Sequence, residues 1–454
     1  MATSYRQFVN ELYEEHVEEA SFLYEQRLAF LTDPDLAWFA YYSEELRLDA
    51  HLDGLIIGGE RALLITQETA LEGDIGAIYT LISLYCLVDQ RDEFLGKINE
   101  FDLQDHEVQQ AIQLALLHRM PDSWHDSFLQ NKFNEQQNLL SLFLPVLIKL
   151  DKIPSNIEFE QIFDGTFTID DVDPIPFIQA SSYFPDKNSN KLLTHFMVNG
   201  SEEQKDTAVF SLYRLGRKHI VEQTILKVKH QELPLMSIAA GASNAFFTAL
   251  ITKHETASWD ENSIHCLAVG GVAEFIPELI KLLKDDALAE FAANALFIIT
   301  GARLIENVLQ EDIWVKDDLF EDEVEAFNQG IMPQRTDGRA FGEEVEKLSA
   351  SFEVWLDWWD QNYSQYVSGK RYRLGMLISP VSLVRTLHSD FGGNVIRELS
   401  YQELVIRYKT KLFLSTKDCI QVQQKSIQAL YQWATQVDGK YSQGEWYFSG
   451  NMQQ

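Results

Sequence analysis

The chain reads as an all-α protein built as a helical repeat array, an α-solenoid, with helical segments capping both ends. Three observations predict it. Apolar residues recur with the 3.6-residue helical period along nearly all of the 454 residues. Strand-like alternation is nearly absent. A unit of apolar helix, glycine and apolar helix recurs after about residue 200, and Gly241, Gly271 and Gly301 stand thirty residues apart.

Phe8, Val9, Leu12, Val17, Ala20, Leu23, Tyr24, Leu28 and Leu31 form one helical stripe over residues 5–31. An Asp-Pro-Asp start signal opens a second helix over 33–52. Segments 60–71, 75–87, 91–100, 106–118 and 134–151 read the same way and complete an N-terminal helical region over 1–151. Pro154, Pro174 and Pro176 mark a connector over 152–177, with a loop or short hairpin at 157–170.

The repeat array runs over 152–310. Its units are "AVFSLYRLGRKHIVEQTIL" (208–226), "LMSIAAGASNAFFTALI" (235–251), "CLAVGGVAEFIPELIKLL" (266–283) and "AANALFIITGARLIENVL" (292–309). In each unit the glycine is expected to end one helix in a left-handed conformation and let the next fold back. Residues 272–301 are similar to a HEAT repeat, with an Ile-Pro-x-Leu helix, a Lys-Asp-Asp turn and a helix of small residues ending in glycine. An acidic insertion follows at 311–350. A C-terminal helical module over 351–454 begins with "FEVWLDWWDQNYSQY".

The formal charge of −32, from 37 basic and 69 acidic residues, argues against nucleic acid and anionic membranes as partners. The charge is uneven. Between Gly369 and Lys425 ten Lys and Arg face four Asp and Glu, which suggests a surface for an acidic partner or for the chain's own acidic half. Cys86, Cys266 and Cys419 lie far apart and form neither a disulfide framework nor a zinc spacing. The N-terminus has no apolar run of signal-peptide length, and no stretch is long enough to span a bilayer. A cytoplasmic protein is expected.

Two stretches raise the question of chemistry. "EEHVEEASFLYEQR" (14–27) sets His16 among carboxylates, and "DAHLDG" (49–54) sets His51 between two aspartates. On a helix His16 sits at the edge of the apolar stripe, and Glu19, three residues on, is positioned to pair with it. A carboxylate-bridged metal site wants a glutamate three residues before the histidine, where Tyr13 stands. The acids around His51 scatter around a helix. Both histidines therefore read as structural, and no metal or cofactor is expected. "GASNA" (241–245) lacks the final glycine of a nucleophile elbow and the strand that precedes one. Trp355, Trp358 and Trp359 share a helix face, which reads as core packing or as an aromatic anchor for a partner.

Further motifs carry a resemblance. "HVEEASFLYEQR" (16–27), "LDAHLDGLIIGGE" (48–60), the helix Ala292–Gly301, Trp358 and Trp359 followed by Arg371-Tyr372-Arg373-Leu374-Gly375, and "VQQKSIQAL" (422–430) resemble a bacterial HEAT-repeat family of uncharacterised proteins often encoded near type VI secretion genes. The resemblance covers both ends and the middle. It departs over 120–200 and in the longer, more acidic stretch at 302–350. It implies a HEAT-like α-solenoid and an accessory role in that secretion system, and it implies no catalytic residues.

The combined expectation is a non-enzymatic protein-binding scaffold, an adaptor or chaperone for an effector, toxin or spike/PAAR-type protein of basic charge. The positions expected to carry binding are Trp358, Trp359, Arg371 and Arg373, with His16 and Glu19 on the first helix. An immunity protein neutralising a toxin is the first alternative, and a metal-dependent enzyme using His16 and His51 the second.

Overall fold

The computed structural model of the chain describes residues 5–32, 36–125, 137–149, 174–183, 187–227, 234–255, 259–312, 324–335, 338–389 and 393–453, with single residues at 314, 316 and 319. The expected hairpin at 157–170 and most of the acidic run at 317–325 lie outside the described residues. The fold is mostly helical with a few short strands. It divides into two compact units, one of Met1–Gly270 with Leu377–Gln454, the other of Gly271–Met376.

The first unit opens with two long helices, α1 (Tyr5–Thr32) and α2 (Tyr42–Leu71), followed by α3 (Ile75–Leu87), α4 (Arg91–Lys97) and α5 (His106–Arg119). The sequence of α3, "IGAIYTLISLYCL", is apolar all round, and nearly the whole helix is buried. Its start is fixed by Asp74, whose carboxylate accepts from the Ala77 amide at 2.6 Å. Tyr24 of α1 stacks on Tyr79 of α3 with ring centres 4.2 Å apart. Burial pushes both phenols well above their ordinary pKa.

Next come α6 (Gln137–Lys149), α7 (Ile175–Ala180), α8 (Lys187–Asn199), α9 (Glu202–Arg214), α10 (Lys218–Ile225), α11 (Leu235–Gly241), α12 (Asn244–Glu255) and α13 (Glu261–Gly270). A capping box of Ser201 and Gln204 starts α9. The repeat glycines do different work. Gly216 and Gly271 have φ of +73° and +70°, the left-handed conformation the spacing predicts. Gly241 instead closes α11 within the helix, and a Cβ there would lie 2.4 Å from the Tyr213 ring. Its glycine is a packing requirement of α9 against α11, where Tyr213 Oη also donates to the Ile238 carbonyl at 3.0 Å.

The chain returns to the first unit through α18 (Pro380–Thr386), α19 (Gly393–Tyr408) and α20 (Ile420–Val437). These helices share a core of Ile378, Leu383, Leu404, Ile427 and Leu430. Two buried arginines join this C-terminal part to earlier helices. Arg407 of α19 pairs with Glu403 at 2.7 Å and donates to the carbonyls of Ala239, Ala242 and Tyr447. Arg27 of α1 pairs with Glu45 of α2 at 2.9 Å and donates to the carbonyls of Lys417 and Asp418. The second Glu45 oxygen accepts from the Ile420 amide at 2.8 Å, capping α20 from a distant part of the sequence.

The basic stretch 369–425 divides between inside and outside: Arg385, Lys409, Lys411, Lys417 and Lys425 are exposed. Of its five arginines, Arg371, Arg373, Arg397 and Arg407 are buried. Charge contrast along a sequence does not report which way a side chain points, and Arg407 serves internal carbonyls.

The second unit holds α14 (Ile276–Leu282), α15 (Ala289–Thr300), β1 (Ile305–Glu311), α16 (Val324–Asn328), β2 (Gly342–Leu348) and α17 (Phe352–Asn362). The alanines of α15 are buried, as close helix packing requires. Gly301 ends α15 at φ +68°, and its amide bonds the Phe297 carbonyl at 2.7 Å. The second half of 292–309, expected as a helix, is the strand β1. It pairs antiparallel with β2, Ile305 opposite Leu348 and Val308 opposite Val345. β-branched residues favour this extended pairing, and the partner lies too far along the chain for local periodicity to show it.

Two outcomes are expected. Glu45→Ala leaves the Arg27 charge and the Ile420 amide buried without their carboxylate, so unfolding free energy should fall by about 3–5 kcal/mol in urea titrations. Gly301→Ala places a Cβ 2.7 Å from the Leu374 backbone on a left-handed residue and should cost more than about 1 kcal/mol, read the same way.

Candidate functional site

The two stretches singled out in the sequence meet at the seam between α1 and α2. Several contacts fix an antiparallel register. Arg61 donates to the Arg6 carbonyl at 2.7 Å. A Cβ on Gly58 would lie 2.8 Å from the Tyr13 ring, and one on Gly54 would lie 2.9 Å from His16 Nε2. At the other end Arg47 reaches Glu19 at 3.4 Å and also pairs with Glu44. Gly54 and Gly58 stand four residues apart, on one helix face, so α1 side chains lie directly on the α2 backbone. Beyond Gly58, Gly59 leaves helical geometry at φ +60°, ψ −143° and breaks α2 there.

The close approach brings His16 Nδ1 to 2.9 Å from His51 Nδ1, with the rings edge to face and their centres 5.1 Å apart. Both rings are half-buried. A hydrogen bond between two Nδ1 atoms needs one ring bearing the proton and the other bare, so at least one imidazole is neutral. Adding a proton to both removes the bond and sets two cations side by side. His51 is accordingly pushed below its ordinary pKa, by burial first and then by His16, with Glu19 and Glu15 opposing and Arg47 adding to the effect.

The expected pairing of His16 with Glu19 gives way to other partners: His16 bonds His51, and Glu19 faces Arg47. The seam offers two ring nitrogens side by side. Among the described residues no group of three or more His, Cys, Asp and Glu stands close enough to hold a metal ion.

The tryptophans lie in the second unit. Trp355 is buried and its indole N–H donates to the Ser349 carbonyl at 2.7 Å. Trp358 and Trp359 are half-buried around Tyr366, with ring centres 6.2 and 5.3 Å from it. Arg371 and Arg373 have no exposed surface. Their expected role as contacts for a partner is corrected: a fully enclosed guanidinium presents nothing to another protein. The backbone around them forms an edge, with the Tyr372 amide bonding the Gly271 carbonyl at 2.7 Å.

Burial pushes the thiols of Cys86 and Cys266 well above their ordinary pKa and that of Cys419 up to about 11, which keeps all three protonated and unreactive near neutrality. No helix among the described residues is long and apolar enough to cross a membrane. Comparison of the chain with family models, with curated proteins and with solved structures returned no match.

Sequence reasoning missed the meeting of His16 with His51. The available signal was the Gly54/Gly58 pair, which marks a face where another helix comes close. For His51 the folded pKa lies below the unfolded value. Its contribution to stability is therefore complete above about pH 6.5 and is lost as the pH falls from there towards the depressed value. His51→Gln should lose less urea stability than the parent between about pH 7.5 and 5.5; equal losses would show that the pair does not feel the proton.

Proposed function

We propose that the chain is a non-enzymatic protein-binding scaffold whose client is a basic protein. The observation that carries this reading is the distribution of charge. Five arginines are buried against three carboxylates, Glu45, Glu403 and Asp418, among the described residues. Among the described residues burial thus removes two more positive charges than negative ones from the surface of a chain whose net charge is −32. Such a surface steers a cationic partner and repels nucleic acid and anionic lipid.

The finer architecture we propose is a HEAT-like α-solenoid. In its support, α9 and α11 pack closely at Tyr213 and Gly241, and α12 and α13 do so at Phe247 and Gly270, as neighbouring units of a helical repeat do. The resemblance of the terminal motifs to the type VI secretion-associated family supports a role as adaptor or chaperone for an effector or spike component, made in the cytoplasm.

One rival has an observation of its own. The 2.9 Å approach of His16 and His51 is compatible with a metal-dependent enzyme completed by a third group. Affinity capture of the tagged native chain at low salt, with mass spectrometry and metal analysis of the same eluate, separates the two. A stoichiometric basic partner released by about 0.5 M salt is expected. No partner together with one tightly held transition metal would overturn the scaffold. If the captured partner is toxic alone and relieved by this chain, the role is immunity rather than delivery.

A further inference from the structure

The strand β1 pairs with β2 alone, in a two-stranded antiparallel sheet. Two bonds just beyond its ends fix which way its backbone faces. The Ser349 amide donates to the Leu304 carbonyl at 2.6 Å, and the Asp312 amide to the Phe341 carbonyl at 3.0 Å. Both continue the β1–β2 register, so Leu304 and Asp312 face the partner strand, and the even-numbered residues between them do the same. Ile305, Asn307, Leu309 and Glu311 turn their N–H and C=O groups the other way. The same alternation turns Gly342 of β2 outward, and its carbonyl accepts from Arg335 Nη2 at 2.9 Å, outside the ladder. On the β1 side no third strand is present among the described residues.

This edge lies in water. Every residue from Ile305 to Gln310 is exposed, with Ile305, Val308 and Leu309 at 39%, 38% and 42%. Edge strands are commonly blunted by a proline, a bulge or a lysine. The sequence "IENVLQE" has neither proline nor lysine, and the register runs one to one without a bulge. Two strands also fall short of the three that give a sheet stability of its own.

Charge chooses the occupant. Residues 305–348 hold thirteen Asp and Glu and four Lys and Arg. Of those four, Lys347 stands opposite Glu306 and Arg335 serves the β2 edge, so β1 itself carries no cation. Arg303 precedes the strand by two residues. Glu344 and Glu346 of β2 are exposed on the face that carries Ile305 and Leu309. A second copy would set this carboxylate surplus against its own image. An extended segment with apolar and basic side chains satisfies the backbone, the apolar residues and the charge together.

We propose that the outer edge of β1 is a docking site for an extended basic segment of a partner protein, which adds to it as a third strand. The proposal rests on the scaffold reading and names its surface. The segment bonds Ile305, Asn307 and Leu309 through its backbone. Its apolar side chains pack beside Ile305, Val308 and Leu309, and its cations lie among the glutamates.

The test uses the full chain and a fluorescent peptide of valine, threonine and lysine, about nine residues long so that it spans β1, followed by anisotropy at low salt. One control replaces each lysine by glutamate. The other keeps the sequence and is N-methylated throughout, which keeps the charge and removes the backbone donors. Asn307→Pro removes an outward N–H and none of the bonds to β2, the one kind of strand position that accepts proline. Leu309→Lys is a second variant, at an exposed side chain. Circular dichroism and melting of both should match the parent. The expected result is one-to-one binding of the lysine peptide, at least about tenfold weaker in each variant, and no comparable binding of either control.

Equal affinity for the parent and Asn307→Pro, equal binding of the N-methylated peptide, or no binding would overturn the proposal. So would a dimer of the parent, seen by sedimentation and abolished by Asn307→Pro, which would give the edge to a second copy. A basic client captured by the parent and fully retained by both variants would remove this edge while leaving the scaffold reading in place.

Discussion

The guanidinium of Arg27 is the point at which the first unit closes on itself. It sits on α1, pairs with Glu45 on α2 at 2.9 Å and reaches the carbonyls of Lys417 and Asp418, some 390 residues away in sequence. Glu45 completes the arrangement by capping the first amide of α20. A charge this deeply enclosed is tolerated only when its partners are all in place. The N-terminal helix pair and the C-terminal helices are thus tied together through one buried guanidinium. Arg407 repeats the device between α19, α11 and the hairpin strand at Tyr447–Phe448.

That constraint explains the uneven character of the α1–α2 seam. The Arg27 end is locked into the core, with Leu23, Tyr24, Leu48 and Leu52 all buried. The middle carries the histidine pair, half-buried and held close by Gly54. Towards the other end Tyr5 and Phe8 of α1 are exposed.

The buried arginines also shape the electrostatics. Placing cations inside, with Arg27, Arg397 and Arg407 serving backbone carbonyls, leaves the carboxylate surplus on the surface. The histidine pair sits within this acidic field, yet burial and mutual repulsion hold His51 towards the neutral form. A local contact of 2.9 Å outweighs more distant, solvent-screened glutamates.

The helical class was legible because it depends on local periodicity: the stripe from Phe8 to Leu31 and the all-apolar α3 needed no partner to be recognised. The helix stop at Gly301 was likewise written locally. What tertiary structure decided is everything that joins distant residues. Pairing of Ile305 with Leu348 turned an expected helix into a strand. Packing against Tyr213 gave Gly241 a purpose other than a turn. Enclosure of Arg371, Arg373, Arg397 and Arg407 took four of the ten cations of 369–425 out of contact with water. The meeting of His16 with His51 came from two glycines on the facing helix. Spacing along one helix predicts which residues share a face, but which face meets which depends on contacts between segments that the sequence does not order.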